Sequence, residues 1–231
     1  MNVAIVVAGG RGTRFGGDRP KQFLELNGAP VIVQTLKQFE RASEIQKVVV
    51  VLPAAETAGF QSLIEKFDLK KVSPVIAGGE TRAQSVRNGL MAINEADVVA
   101  VHDGVRPLVT PQEIDQVLHK ACEHGAAVLV APVGDTIKEI EGEQVKGTVP
   151  RKNLRRALTP QCFRFELLRR AYEGLTEIES AGIEVTDDSF LVERLGAKIM
   201  AVEGSGRNIK ITTEEDLLAA EFLLKSVVSS P

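Results

Sequence analysis

The residues with chemistry to do in this chain are two glycine-bearing stretches, a strand-terminal aspartate and a set of scattered cations. Val7-Ala8-Gly9-Gly10-Arg11-Gly12-Thr13-Arg14-Phe15 runs on to Pro20-Lys21-Gln22-Phe23, directly after an apolar run, Val3 to Val7, that reads as a buried strand. Glycines there let the backbone approach a bulky ligand and aim consecutive N–H groups at phosphate oxygens, and Arg11, Arg14 and Lys21 add positive charge. The loop is suited to a polyphosphate. Two familiar glycine loops do not fit it. A Walker loop needs Gly-Lys-Ser/Thr after four spacer residues, where this chain has Phe15 counted from Gly10 and Gly17-Asp18 beyond Gly12. A dinucleotide fingerprint needs a third glycine at Phe15 and an acidic ribose partner ending the second strand, which instead finishes Val50-Val51-Leu52-Pro53.

The second stretch is Gly78-Gly79-Glu80-Thr81-Arg82-Ala83-Gln84-Ser85, where a third strand gives way to a helix. Arg82 and Ser85 share a face of its first turn, where the helix dipole favours an anion or a polar ligand edge. The apolar run Val98 to His102 then leads into Asp103, a carboxylate at the carboxyl edge of the sheet that can hold the Mg²⁺ arriving with a nucleoside triphosphate. His102 lacks a second histidine at ligand spacing and reads as structural; His119 and His124 read as inert. Between Ile209 and Ile211, Lys210 must point opposite to its neighbours, toward solvent or toward the crevice. The run Arg151 to Gln161 is the most basic in the chain; most of such a run is ordinarily solvated surface, yet one arginine of it would suffice to grip an acceptor phosphate.

The elements that must position these residues alternate. Strand candidates recur at Val3 to Val7, Val48 to Leu52, Val72 to Ala77, Val98 to His102, Ala127 to Ala131 and Lys198 to Val202, with amphipathic helical stretches between most of them. That pattern predicts an α/β fold with a mainly parallel, doubly wound sheet. Thr110-Pro111-Gln112-Glu113 predicts a capped helix closing at Gly125, Thr212 with Glu215 predicts a capping box before the last helix, and Thr186-Asp187-Asp188-Ser189 caps another. Residues 135–150 break the alternation: Thr136, Ile137, Ile140, Val145 and Val149 flank Glu141-Gly142-Glu143-Gln144, the pattern of a β-hairpin insertion. A lone hairpin is marginally stable, so this one is expected to act as an arm packing on a second copy in a homodimer, the alternative being a hairpin that lies on its own domain.

At 231 residues the chain suits one domain, 1–231, with a substantial core. A net charge of −3, one tyrosine and no tryptophan leave no general basic field and few stacking platforms, which excludes nucleic acid as a partner. No apolar run approaches the ~20 residues of a membrane span, and no charged n-region or cleavage site opens the chain. The two cysteines, Cys122 and Cys162, lack metal spacing and read as core or near-core thiols, so a reducing, cytoplasmic location is expected.

Taken in order, these stretches resemble the 2-C-methyl-D-erythritol 4-phosphate cytidylyltransferases, CTP-using enzymes of the non-mevalonate isoprenoid pathway. The resemblance is carried by Gly10-Arg11-Gly12-Thr13-Arg14, Pro20-Lys21-Gln22, Gly78 to Arg82 with Ser85, His102-Asp103 with Arg106-Pro107, Ala131-Pro132-Val133 with Asp135-Thr136, Arg151, Ala157 to Gln161, Thr186-Asp187 and Asn208-Ile209-Lys210. It implies a Rossmann-like nucleotidyltransferase fold, a homodimer built through the arm, and Mg²⁺-dependent joining of CTP and methylerythritol phosphate with release of pyrophosphate. It also implies roles. Arg14, Lys21 and Lys210 would be catalytic; Ala8, Gly9, Gly10, Arg11, Gly12, Gly79, Glu80, Arg82, Ser85, Asp103 and Gly104 would bind nucleotide, Asp103 also positioning the metal. Arg106, Thr136, Arg151 and Thr186, with Lys210, would face the acceptor.

The chain departs from the family's usual pattern at Ala8-Gly9-Gly10, where Ala-Ala-Gly is common, and at Gly104-Val105, where Ala-Ala is usual. Both changes bear on base or ribose fit and leave a ribitol 5-phosphate cytidylyltransferase as the nearest rival. Sugar-1-phosphate nucleotidylyltransferases need extra length. A non-catalytic nucleotide-binding regulator is disfavoured by the full set Arg14, Lys21, Asp103 and Lys210, and an NAD-dependent oxidoreductase by the missing fingerprint and by Thr176 standing where Tyr172 would need a lysine partner.

Overall fold

The computed structural model describes residues 1–9 and 20–228. Along them run β1 (Val3–Val7), β2 (Glu25–Leu26), β3 (Ala29–Pro30), α1 (Val31–Arg41), β4 (Lys47–Leu52), α2 (Ala54–Lys66), β5 (Val72–Ala77), α3 (Arg82–Met91), β6 (Val98–Asp103) and α4 (Pro111–His124). Then follow β7 (Ala126–Pro132), β8 (Ile137–Glu141), β9 (Gln144–Val149), β10 (Arg155–Arg164), α5 (Phe165–Glu173), α6 (Leu175–Ser180), α7 (Asp188–Glu193), β11 (Met200–Glu203) and α8 (Glu214–Val228). A seven-stranded sheet has the order β11-β7-β10-β6-β1-β4-β5. All its pairings are parallel except those of β10, which runs antiparallel to both β6 and β7.

The alternation of side chains along each strand builds two cores, one per face. Ala4 and Val6 of β1 pack with Val48 and Val50 of β4 against Ile32, Leu36 and Phe39 of α1 and Ile114 and Leu118 of α4. Val3, Ile5 and Val7 pack on the other face with Val49 and Val51 against Val86 and Leu90 of α3 and Leu168 of α5. Every residue of β1 is buried, which is why it reads as an unbroken apolar run. Each such valine or leucine removed from water contributes about 1.5–3 kcal/mol.

The expected mainly parallel, doubly wound α/β sheet is therefore present, with one strand not anticipated. β10 carries Arg155 and Arg156 at its start and Pro160 in its interior, and proline normally argues against a central strand. The sheet accommodates it with a register shift between Ala157 and Gln161. Thr110 and Glu113 form the reciprocal capping box of α4, and Gly125, at φ 94°, ends that helix. The cap of α8 lies one residue later than expected: Asp216 accepts from the backbone N–H groups of Thr212 and Thr213, and the Thr213 hydroxyl accepts from the Asp216 N–H. Cys162 is buried in β10, whereas Cys122 is exposed, because it falls on the rim of the α4 apolar face rather than within it.

β8 and β9 pair only with each other, around Gly142 at φ 58°. Ile140 and Val145 stand opposite one another across this hairpin and are 54% and 60% exposed.

Candidate active site

β1, β4 and β5 step outward in one direction, and β6 returns to the opposite side of β1. Ala8 and Gly104, which follow β1 and β6, stand at that reversal, where a crevice opens at the carboxyl ends of the strands, the usual place for ligands in such sheets. Val7 and Asp103, the last residues of the two strands, are register partners. Backbone bonds fix the loop mouths: Ala8 N–H donates to the Val51 carbonyl at 2.8 Å, Gly78 N–H to Leu52 at 2.7 Å and Gly104 N–H to Val7 at 2.8 Å. Gly104 packs against the glycine loop so closely that a Cβ there would lie 2.9 Å from that of Ala8.

Into this crevice one cavity opens, walled by Ala8, Gly9 and Lys21 from the first loop, by Gly79, Glu80, Arg82 and Ser85 from the start of α3, and by Asp103 and Lys210. Thr81 caps α3 by accepting from the Gln84 N–H, and Ser85 Oγ accepts the Gly79 N–H at 3.1 Å while donating to the Thr81 carbonyl at 2.9 Å. Gln22, buried beside Lys21, donates to the Ala8 carbonyl at 2.8 Å and so ties the Pro-Lys-Gln segment to the end of β1.

Asp103 is the electrostatic centre. Its Oδ1 accepts from Arg82 Nε at 2.9 Å, and its Oδ2 meets Arg106 Nε at 3.2 Å and Lys210 Nζ at 3.0 Å. Burial by itself would raise the carboxyl; Arg82, Lys210 and Arg106 together outweigh it and hold Asp103 well below the usual carboxylate range. Behind it, Arg82 Nη2 reaches Asp188 Oδ2 at 2.8 Å, and the Tyr172 hydroxyl donates to Asp188 Oδ1. Burial opposes the charge on Arg82, yet Asp188 and Asp103 raise its affinity for the proton well above the ordinary value. Gln161 holds the same corner, accepting the N–H groups of Asp188 and Ser189 at 3.0 Å and donating to Asp187.

His102 lies fully buried beneath the site. The Arg106 carbonyl lies 3.2 Å from its Nε2, and Thr159 Oγ1, 2.9 Å from Nδ1, also accepts the Asp103 N–H. A carbonyl can only accept, so Nε2 carries the hydrogen and Nδ1 accepts from Thr159. Burial pushes the imidazole down to about 3. The unfolded chain takes up this proton near pH 6.5 and the folded protein only near pH 3, so within that window the unfolded state binds one more proton. Stability is expected to fall by about 1.4 kcal/mol per pH unit on acidification through it, and His102→Gln to lose that slope. Urea titrations at half-unit pH steps measure it; a slope unchanged in the variant refutes the assignment.

Of the residues singled out in the sequence, Ala8, Gly9, Lys21, Gly79, Glu80, Arg82, Ser85, Asp103 and Lys210 meet in this cavity. Lys210, whose direction the sequence left open, points into the crevice. Arg106 stands behind Asp103 and donates to the Asn208 carbonyl at 2.9 Å. Gly104 lies against Ala8 and does not line the cavity. Thr136, Arg151 and Thr186 are exposed and do not line it either, Arg151 bonding instead to the Gly134 carbonyl. Gly10, Arg11, Gly12 and Arg14 lie outside the described residues. Sequence reasoning missed Asp188, Tyr172 and the role of Gln161; Asp188 follows a recognisable helix cap, and that adjacency was the available signal.

A family model described as 2-C-methyl-D-erythritol 4-phosphate cytidylyltransferase matches residues 2–226. A protein of that name from Geobacillus kaustophilus is 44% identical over 223 residues, covering 96% of both chains, and one from Geotalea uraniireducens is 45% identical over 230 residues, covering 98% of this chain and 97% of the relative. Among solved structures, the 4-diphosphocytidyl-2C-methyl-D-erythritol synthase of Anaerococcus prevotii superposes with a TM-score of 0.85 at 30% identity, covering 97% of this chain and 96% of that one. The cytidylyltransferase of Thermus thermophilus gives 0.78 at 34% identity, covering 97% and 100%. With the sheet order, the crevice and these likenesses in agreement over nearly the whole length, the chain belongs to the 2-C-methyl-D-erythritol 4-phosphate cytidylyltransferase family.

Proposed function

We infer that the protein transfers the cytidylyl group of CTP to 2-C-methyl-D-erythritol 4-phosphate, giving 4-diphosphocytidyl-2-C-methyl-D-erythritol and pyrophosphate. The observation that carries the site assignment is the convergence of Arg82, Arg106 and Lys210 on Asp103, which lines one cavity with Lys21, Ala8 and Gly9. An acceptor phosphate oxygen attacks the α-phosphorus and pyrophosphate departs from the opposite side. Two anions meet, so cancelling charge and aligning the partners carry the catalysis, with no covalent nucleophile required. Lys21 and Lys210 stabilise the charge that builds on the α-phosphate and the leaving group, together with Arg14. Backbone N–H groups of the glycine loop hold the triphosphate, and Ser85 with Gly79 borders the base and ribose. Arg106, Thr136, Arg151 and Thr186 serve the acceptor, the last three requiring the arm or a partner subunit to bring them near.

Asp103 fits a role beside Mg²⁺. Its Oδ1 takes a single hydrogen bond and keeps acceptor capacity, while the described residues contain no cluster of three or more carboxylate, histidine or cysteine ligands. One carboxylate with phosphate and water oxygens is the donor set magnesium commonly takes. Bound there, the ion would neutralise phosphate charge.

Incubating the purified protein with Mg²⁺, each of CTP, UTP and ATP, and either methylerythritol phosphate or ribitol phosphate, while following pyrophosphate, tests the reading. Preference for ribitol phosphate, or no pyrophosphate at all, overturns it. Lys21→Ala is expected to lower kcat by ~10² or more with the melting temperature preserved, and near-normal turnover removes Lys21 from the mechanism.

The arm is proposed to join two copies. Ile140 and Val145 present an apolar pair to solvent on a hairpin that pairs with no other strand among the described residues. Ile140→Asp with Val145→Asp is expected to convert a dimer to a monomer in sedimentation velocity; a wild-type monomer, or a dimer indifferent to the double substitution, refutes it. Among the described residues no helix is long and apolar enough to cross a membrane. Free thiols at Cys122 and Cys162 fit a reducing compartment, and we place the enzyme in the cytoplasm.

A further inference from the structure

Beyond the loops that carry Arg106 and Lys210 lies a second cavity, of about 630 Å³, that shares no lining residue with the first. Its size falls in the range of small-molecule sites. Pro107, Leu108 and Leu224 give it apolar walls, and its charged lining is cationic throughout: Lys37 and Arg41 on α1, and Arg207 three residues before Lys210. Among the described residues no aspartate or glutamate lines it.

Among the described residues these cations lack the counter-charges that surface cations usually find. Arg207 uses Nη2 on the Leu223 carbonyl and Ser226 Oγ, both neutral, and among the described residues neither Arg207 nor Arg41 meets a carboxylate. Glu113, bonded to two residues of the wall, commits Oε2 to Thr110 and Oε1 to the Ser205 N–H at 2.7 Å. Lys37 and Arg41 stand one turn apart on α1, a spacing at which like charges repel. Burial and then that repulsion lower the Lys37 ammonium, whose end sits 4.9 Å over the Phe67 ring. A concave surface lined by one sign of charge focuses its field into the hollow.

We propose that this cavity is a binding site for a small phosphorylated polyanion, gripped by Arg41 and Arg207 with its organic part against Pro107, Leu108 and Leu224. Guanidinium forks suit phosphate oxygens, and two of them facing a hollow free of carboxylates select for at least two negative charges. The site is separate from the crevice, so it stands whether or not cytidylyl transfer is confirmed.

Inorganic pyrophosphate is the probe, titrated calorimetrically into the full-length protein and into Arg41→Gln and Arg207→Gln. Neither residue belongs to the catalytic crevice, and cytidylyl transfer at low pyrophosphate is expected to be unchanged in both variants. The wild type is expected to show a binding component that weakens about tenfold or more in each variant, while the component that Lys210→Ala weakens persists. Arg41→Lys, which keeps the charge and loses the fork, is expected to recover part of the affinity and guards against a folding defect, read in parallel by thermal melts. Isotherms of wild type and both glutamine variants that superimpose overturn the proposal, as does a loss that tracks a lowered melting temperature and is not relieved by Arg41→Lys.

Discussion

Arg82→Ala is expected to destabilise the protein by about 3 kcal/mol, lowering the melting temperature by roughly 6–12 °C for a chain of this size. The reason is what the substitution leaves behind. Asp188 has no solvent exposure, and Arg82 is its only cationic partner among the described residues; without it the carboxylate keeps the Tyr172 hydroxyl and no counter-charge. Stranding a buried charge costs far more than an ion pair of this kind contributes. Asp103 would lose its Arg82 bond as well, so turnover is expected to fall together with stability. Adding Asp188→Asn to Arg82→Ala removes the stranded charge and is expected to restore most of the lost stability without restoring activity. Calorimetric melts of the two variants decide the matter: an unshifted melting temperature in Arg82→Ala, or no recovery in the double variant, rules out this account.

Lys210→Ala is expected to do the opposite, lowering kcat by about 10²–10³ while shifting stability by under about 1 kcal/mol. Its Nζ stands 3.0 Å from Asp103, but the side chain is 38% exposed, and a pair so open to water contributes little to folding. In the proposed mechanism the same ammonium, which lines the cavity, acts where phosphate charge develops. If it acts on the transition state, kcat and kcat/KM fall in parallel and CTP affinity changes much less. A raised KM with normal kcat would make Lys210 a binding group only, and normal values of both would take it out of the site.

Much of this could be read before any coordinates. Val3–Val7 and Val72–Ala77 were bounded to the residue, the first because a parallel strand covered on both faces is an uninterrupted apolar run, the second, a half-buried edge strand interrupted by Ser73 and Pro74, because Gly78-Gly79 ends it. The helix behind Thr110 declared itself through its cap, its proline and Gly125. β10 stayed hidden for physical reasons: its start is basic and open to solvent, and Pro160 is tolerated only because the ladder shifts register around it. In the site, single residues were legible and their partnerships were not. Periodicity placed Asp103 at a strand end and Lys210 opposite two isoleucines, yet nothing in either pattern says that they touch. Tyr172 and Asp188 were less visible still, one a helix-face aromatic and the other the second acid of a cap. They become a unit only when α5 and α7 are packed on the same face of the sheet.

Where β10 joins β7, Arg155 sits directly across from Pro132, so the excursion from 133 to 154 leaves and rejoins the sheet at neighbouring points. Ends that already touch make the intervening segment a cassette: a short tight turn could replace it with little cost in chain closure and no change of strand register. Because β10 is reversed, that splice point lies at the same rim as Asp103, which Thr159 of β10 contacts through its hydroxyl. The excised protein would thus keep the cavity around Asp103 while losing the hairpin, and grafting hairpins of other lengths at this seam would vary the proposed pairing of two copies independently of the sheet.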